Sequence, residues 1–145
     1  MTDNTDIDEQ LLEAILNRLL PAIGEVPAAG QMKLVPEIIR LSGRQARFQN
    51  QFSNALRVFK STNLEFRSTT VDEQDDAIKA FEAEHPELFG SLLTISYIVY
   101  YKDSRVHKRI GWSGRTPQPD GNEMEPWDES VLENVRKREP FWRQV

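Results

Sequence analysis

The chain has no cysteine, which excludes disulfides, thiolate-ligated zinc, iron–sulfur clusters and the covalent attachment of a c-type haem. A chain without thiols folds equally well in reducing and oxidising surroundings, so this absence leaves the compartment open. No run of about 18 apolar residues occurs, and with it goes any helix long and greasy enough to cross a bilayer. Histidine is scarce: His85 and His107 are the only two, and a histidine-based metal site would need carboxylates as its other ligands. Positive charge is in deficit, with 18 Lys and Arg against 23 Asp and Glu for a net charge of −5. That balance argues against a nucleic-acid partner, whose affinity would rest on phosphate contacts. The opening Met1-Thr2-Asp3-Asn4-Thr5-Asp6 is acidic and polar, with neither the basic n-region of a signal peptide nor a twin-arginine pair. As it stands, the chain carries no export signal.

What is present is helical period. The 145 residues, 39% hydrophobic and 28% charged, fit one domain able to bury roughly 68–70% of its unfolded surface. Leu11, Leu12, Ile15, Leu16, Leu19 and Leu20 recur at three and four, predicting an amphipathic helix from Asp6 or Asp8 to Leu20. Pro21 ends it, and Pro21 to Gly30 reads as a loop because its prolines and glycines disfavour regular backbone. Met32, Leu34, Val35, Ile38, Ile39 and Leu41 mark a second helix, beginning near Leu34 or Val35 so that Pro36 falls in its first turn. Ser42-Gly43 reads as a joint. Phe48, Phe52, Leu56 and Phe59 then form the cleanest stripe, assigned to the core rather than to a cofactor pocket. Thr62-Asn63 closes that helix, and Leu64 and Phe66 read as loop anchors. Thr70-Val71-Asp72-Glu73 matches a capping box and opens a helix to about Glu84 with Ala77, Ile78 and Phe81 inward. Its acids lack the spacing and central glycine of a calcium loop and read as a solvated face.

From Pro86 to Tyr101 two periods compete. Leu88, Leu92, Ile95 and Val99 fit a helix, whereas Leu93, Ile95, Tyr97, Val99 and Tyr101 alternate like a strand. With no partner strand in the chain the helix is preferred, and its wide apolar girth makes it central. Arg105 to Arg109 allow one more turn. From Ile110 onward the helical period is lost among Gly111, Gly114, Pro117, Pro119, Gly121 and Pro126, while large rings continue at Trp112, Trp127, Phe141 and Trp142. Asp128 is placed to cap a last helix, Glu129 to Lys137, with Val131, Leu132 and Val135 as its apolar face. The expected fold is all-α: one domain, residues 1–145, with an irregular bundle of about five helices over 1–109 and an extended aromatic C-terminal arm over 110–145.

Two separated stretches resemble a known family. Leu19-Leu20-Pro21 followed by Pro27-Ala28-Ala29-Gly30 is similar to the opening pattern of the gluconate 2-dehydrogenase subunit 3 family. Leu88-Phe89-Gly90-Ser91-Leu92 through Tyr100-Tyr101-Lys102-Asp103, and then Ile110-Gly111-Trp112, resembles its closing pattern of a helix ending in tyrosine-tyrosine-x-aspartate and a glycine–tryptophan pair. The likeness spans roughly residues 11–121. It implies an accessory subunit without catalytic residues or a cofactor of its own, associated with a large FAD-dependent subunit that oxidises sugars, sugar acids or alcohols, often with a cytochrome as third partner. Family members escort the flavoprotein across the membrane on a twin-arginine signal. This chain departs from them in lacking that signal: it is cytoplasmic as written, and periplasmic if such a leader has been removed.

The residues expected to bind a partner are Tyr100, Tyr101, Arg109, Trp112, Arg115, Trp127, Phe141 and Trp142, because large rings interleaved with arginines are enriched at interface centres. The same rings would serve equally to complete the chain's own core. Two rival readings accompany this one. The first is a small cofactor-independent enzyme with a pocket behind the tyrosine pair and His107 or His85 as acid/base. The second is a free-standing helical domain that self-associates. Gly111-Trp112-Ser113-Gly114 lacks the spacing and preceding strand of a phosphate-binding loop.

Overall fold

The computed structural model describes residues 7–44, 46–113, 121, 123 and 126–138, with the side chains of 46–49 excepted. The chain divides into two compact units, Met1–Gly114 and Arg115–Val145. Apart from one isolated bridge, the described residues contain no strand; their regular structure is helical.

The first unit holds α1 (Glu9–Leu19), α2 (Val35–Arg44), α3 (Ala46–Thr62), α4 (Val71–Glu84), α5 (Pro86–Tyr100) and α6 (Ser104–Ile110). The starts of α1, α4 and α5 each have a local cause. The Asp8 side chain accepts from the Leu11 amide at 3.0 Å and caps α1, satisfying one of the donors a helix start leaves open. Thr70 and Glu73 form the reciprocal capping box of α4, the Thr70 amide donating to Glu73 Oε2 at 2.8 Å. Pro86 opens α5 at a position where its missing N–H costs nothing.

The ambiguous stretch is thus a helix, and it is central: α5 packs against α2, α3 and α4. Phe89, Leu92, Ile95, Val99 and Tyr100 face the core. Ser91 and Ser96 are buried with them, each hydroxyl donating to a carbonyl of its own helix, Leu88 and Leu92 respectively. In α3, Phe52, Leu56 and Phe59 are buried; the side chain of Phe48 lies outside the described residues. Phe59 is the hub of an edge-to-face cluster, its ring centroid 4.9 Å from that of Phe66 and 5.3 Å from that of Phe81. Such pairs contribute about 0.5–1.5 kcal/mol beyond their burial.

Four expectations need correction. Ser42-Gly43 is no joint, because α2 runs on through both to Arg44; the Ser42 hydroxyl donates to the Ile39 carbonyl at 2.8 Å, a bond a helix accommodates. Leu64 anchors nothing and is 84% exposed, Phe66 alone being buried in that loop. The loop after Pro21 contains a 3-10 turn, Ala29–Met32, that the breaker residues concealed. The second unit's helix is a 3-10 turn, Glu129–Leu132, followed by a single turn, α7 (Glu133–Arg136). Asp128 caps it as expected, accepting from the Ser130 amide at 2.9 Å, but Val131 and Val135 are exposed at 60% and 54%.

Candidate functional site

The 3-10 turn lies against α1. Gly30 sits so close that a Cβ there would fall 2.2 Å from the Glu13 carbonyl oxygen. This contact fixes where the chain leaves α1. Between Pro21 and Pro27 it makes a two-residue reversal: Ile23 and Val26 exchange backbone hydrogen bonds of 2.9 and 3.1 Å. Gly24, at φ +58°, supplies the positive dihedral such a turn needs at its first central position.

The other side of the site is built at the α5–α6 corner. Tyr100 ends α5, and after Tyr101-Lys102 the Asp103 side chain caps α6, accepting from the Arg105 amide at 2.9 Å. Arg105 grips Asp103 with Nε at 2.8 Å and Nη2 at 2.7 Å, and the same Nη2 donates to the Met32 carbonyl at 3.1 Å. The corner is thereby tied to the 3-10 turn. Lys102 reaches Glu37 of α2 at 3.5 Å; Arg40 chiefly, with help from Lys102, holds that carboxyl down to about 2. At its far end α6 stops in a Schellman motif: the Gly111 amide bonds to the Lys108 carbonyl and the Trp112 amide to that of His107, with Gly111 left-handed at φ +72°.

Where these two constructions meet, a groove of about 430 Å³ opens. Leu19, Leu20, Pro21, Ala22 and Ile23 form one wall; Tyr100, Tyr101, Val106, Arg109 and Ile110 form the other. Ile23, Tyr101 and Ile110 are about half exposed, at 49%, 50% and 59%. Tyr97, 40% exposed, meets Tyr101 edge to face with centroids 5.9 Å apart and continues the apolar surface. Tyr100 is buried, and burial together with the nearby Tyr101 and Asp103 pushes its phenol up, so it stays protonated. Among the described residues its hydroxyl has no hydrogen-bond partner. Arg109 crosses Gly24, its Nε 3.5 Å from where a Cβ would stand. It separates the groove from a neighbouring recess of about 450 Å³ lined by Gly24, Glu25, Val26, Arg105, Lys108 and Arg109.

Of the eight residues expected to bind a partner, Tyr100, Tyr101 and Arg109 come together here. Trp112 stands beyond α6 with its ring edge-on to that of His107, centroids 4.2 Å apart. Trp127 belongs to the second unit and is 70% exposed; Arg115, Phe141 and Trp142 lie outside the described residues. Periodicity missed Ile23, which stands in a loop, and the expected turn stopped at Arg109, one residue short of Ile110, which ends α6 one turn after Val106. The histidines are far apart in role. His107 Nε2 donates to the Tyr101 carbonyl at 2.5 Å, and because a carbonyl only accepts, that nitrogen carries the proton. His85 is the half-buried hinge between α4 and α5, its ring 5.4 Å from Phe81. Among the described residues no three His, Asp or Glu side chains group as metal ligands, and no helix is long and apolar enough to cross a membrane.

Comparison of the chain with family models, curated proteins and solved structures returned no match. The resemblance to the gluconate 2-dehydrogenase subunit 3 family therefore rests on its motifs alone.

Proposed function

We propose that this chain is a non-catalytic small subunit that binds and stabilises a large FAD-dependent dehydrogenase acting on sugars, sugar acids or alcohols, and that the groove is part of the contact. One observation carries the reading. The two stretches similar to the family, some eighty residues apart, converge on the same groove, with Leu19-Leu20-Pro21 on one wall and Tyr100, Tyr101 and Ile110 on the other. Half-exposed aromatic and aliphatic side chains beside an arginine are the composition of an interface centre. The flavin belongs to the partner in this reading, and a cytochrome is a candidate third member.

The test is an affinity pull-down of tagged full-length protein from its own host, run beside Tyr101→Asp and Ile110→Asp, whose side chains are exposed enough to change without disturbing the core. A yellow eluate containing a large flavoprotein, lost in the variants, supports the subunit. A colourless eluate from the unaltered protein would sink it.

A further inference from the structure

We propose, resting on the subunit reading, that the groove receives a segment of the partner that combines large apolar side chains with a carboxylate. The apolar side chains seat between Ile23 and Ile110, and the carboxylate pairs with Arg109.

Charge singles out this occupant. The protein as a whole is acidic, at −5, yet the corner beside the groove reverses that sign. Lys102, Arg105, Lys108 and Arg109 fall within residues 102–109, and Asp103 is the one acid among them. Asp103 is already committed to Arg105, and Lys102 to Glu37. Lys108 and Arg109 have no ion-pair partner among the described residues, and both face the recess that Arg109 shares with the groove, where Arg105, Lys108 and Arg109 outnumber the single carboxylate of Glu25. Tyr100, only 6% exposed, also lines the groove, and its hydroxyl has no hydrogen-bond partner among the described residues. A guanidinium at the edge of an apolar trough suits an anion delivered with greasy neighbours, because the donor gains a charge-assisted bond while the apolar floor excludes water. A basic segment would meet like charge, which disfavours it at an interface. The last-turn cations also suit the α6 dipole, but that role needs no groove at their side.

The experiment is photo-crosslinking in the native host, with p-benzoylphenylalanine in place of Ile110 in one full-length protein and of Ile23 in another. Purification follows, then mapping of the joined peptide by mass spectrometry and scanning of the eluate for flavin. The proposal expects one mapped segment from both positions, apolar with an Asp or Glu within about three residues. It expects a yield at least tenfold lower when Arg109→Glu is added, restored by a Lys in place of the mapped carboxylate. Arg57→Glu, on the exposed face of α3, should leave the yield unchanged. A mapped segment without carboxylates, a crosslink to a second copy of this chain, or no crosslink at either position overturns the proposal. Flavin in the eluate with any of these results leaves the subunit reading standing while this one falls. An acidic apolar segment from a protein without flavin does the reverse. Circular dichroism of each variant shows that the helices are intact.

Discussion

Replacing Gly30 by Ala tests whether the loop after α1 is seated as tightly as its geometry implies. The added Cβ would lie 2.2 Å from the Glu13 carbonyl oxygen, 1.2 Å inside the 3.4 Å at which ordinary contact begins, and 2.7 Å from Asn17 Oδ1. The asparagine side chain is free to turn aside, but the carbonyl is part of the α1 hydrogen-bond ladder and is not. Either the 3-10 turn lifts from α1 by about an ångström, or the backbone of one of them distorts. A gap of that size forfeits a quarter to a half of each dispersion contact across it, and buried Leu12, Leu16, Ala29 and Met32 are among the residues of that core. Overpacking of a core usually costs about 1–3 kcal/mol; with a rigid neighbour we expect about 3 kcal/mol, which lowers the melting temperature by roughly 10 °C. Gly90→Ala is the internal control. It sits inside α5 with nothing within 4 Å of its would-be Cβ, so the same substitution should stabilise by about 0.5–1 kcal/mol. Urea unfolding followed by circular dichroism reads both. A Gly30→Ala protein within about 0.5 kcal/mol of the parent would refute the close-approach argument.

Other perturbations have equally definite outcomes. Phe59→Ala removes the hub of the ring cluster and should cost about 3–5 kcal/mol in the same unfolding experiment, whereas Leu64→Ala, at an 84% exposed position, should change stability by less than about 0.5 kcal/mol. Thr70→Ala, which breaks the capping box of α4, should cost about 1 kcal/mol, measured by thermal melting. Gly111→Ala forces a side chain into the left-handed position that ends α6 and should cost about 1–2 kcal/mol. The Asp8 carboxyl is held below its usual range by the Lys60 ammonium and then by the Leu11 amide. Its contribution is therefore complete above the unfolded aspartate value near 3.9 and is lost as pH falls through the lower native value. Asp8→Asn should be less stable than the parent at neutral pH, with the gap closing in acid; a gap that persists unchanged at pH 2 contradicts the assignment.

The helices were legible wherever one face repeated cleanly, as in Leu11 to Leu20 or Thr70 to Phe81, because burial of a stripe and local capping point the same way there. For residues 91–101 periodicity alone could not choose between helix and strand; the lack of a pairing partner did. Ser42-Gly43 misled because serine and glycine weaken a helix without forbidding it, and α2 is held in place by packing on α3 and α5. The groove was half legible. Its tyrosines and Arg109 stand in a conspicuous stretch, but the meaning of Ile23 and Ile110 depends on a loop after α1 meeting the end of α6, which no local pattern encodes. The structure also gives packing reasons for several residues that carry the family resemblance. Gly30 permits a close approach, Asp103 caps α6, and Gly111-Trp112 completes a Schellman ending. Such features serve any protein that turns these corners, so the exposed Ile110, and Tyr101 with its ring contacts only to neighbouring tyrosines, discriminate better between a shared fold and a shared partner.

The reversal at Ile23–Val26 bears on how fast the proposed partner would be recognised. It is braced by two mutual backbone hydrogen bonds, by the Ala29 amide on the Leu20 carbonyl at 2.9 Å, and by prolines at 21 and 27 whose φ angles are fixed. A wall held in this way has little freedom left to lose when something settles against it, so the ordering penalty that weakens binding to pliant loops is small. Encounters would then be limited by diffusion and orientation, and differences in affinity among groove variants should appear mainly in how long the complex lasts.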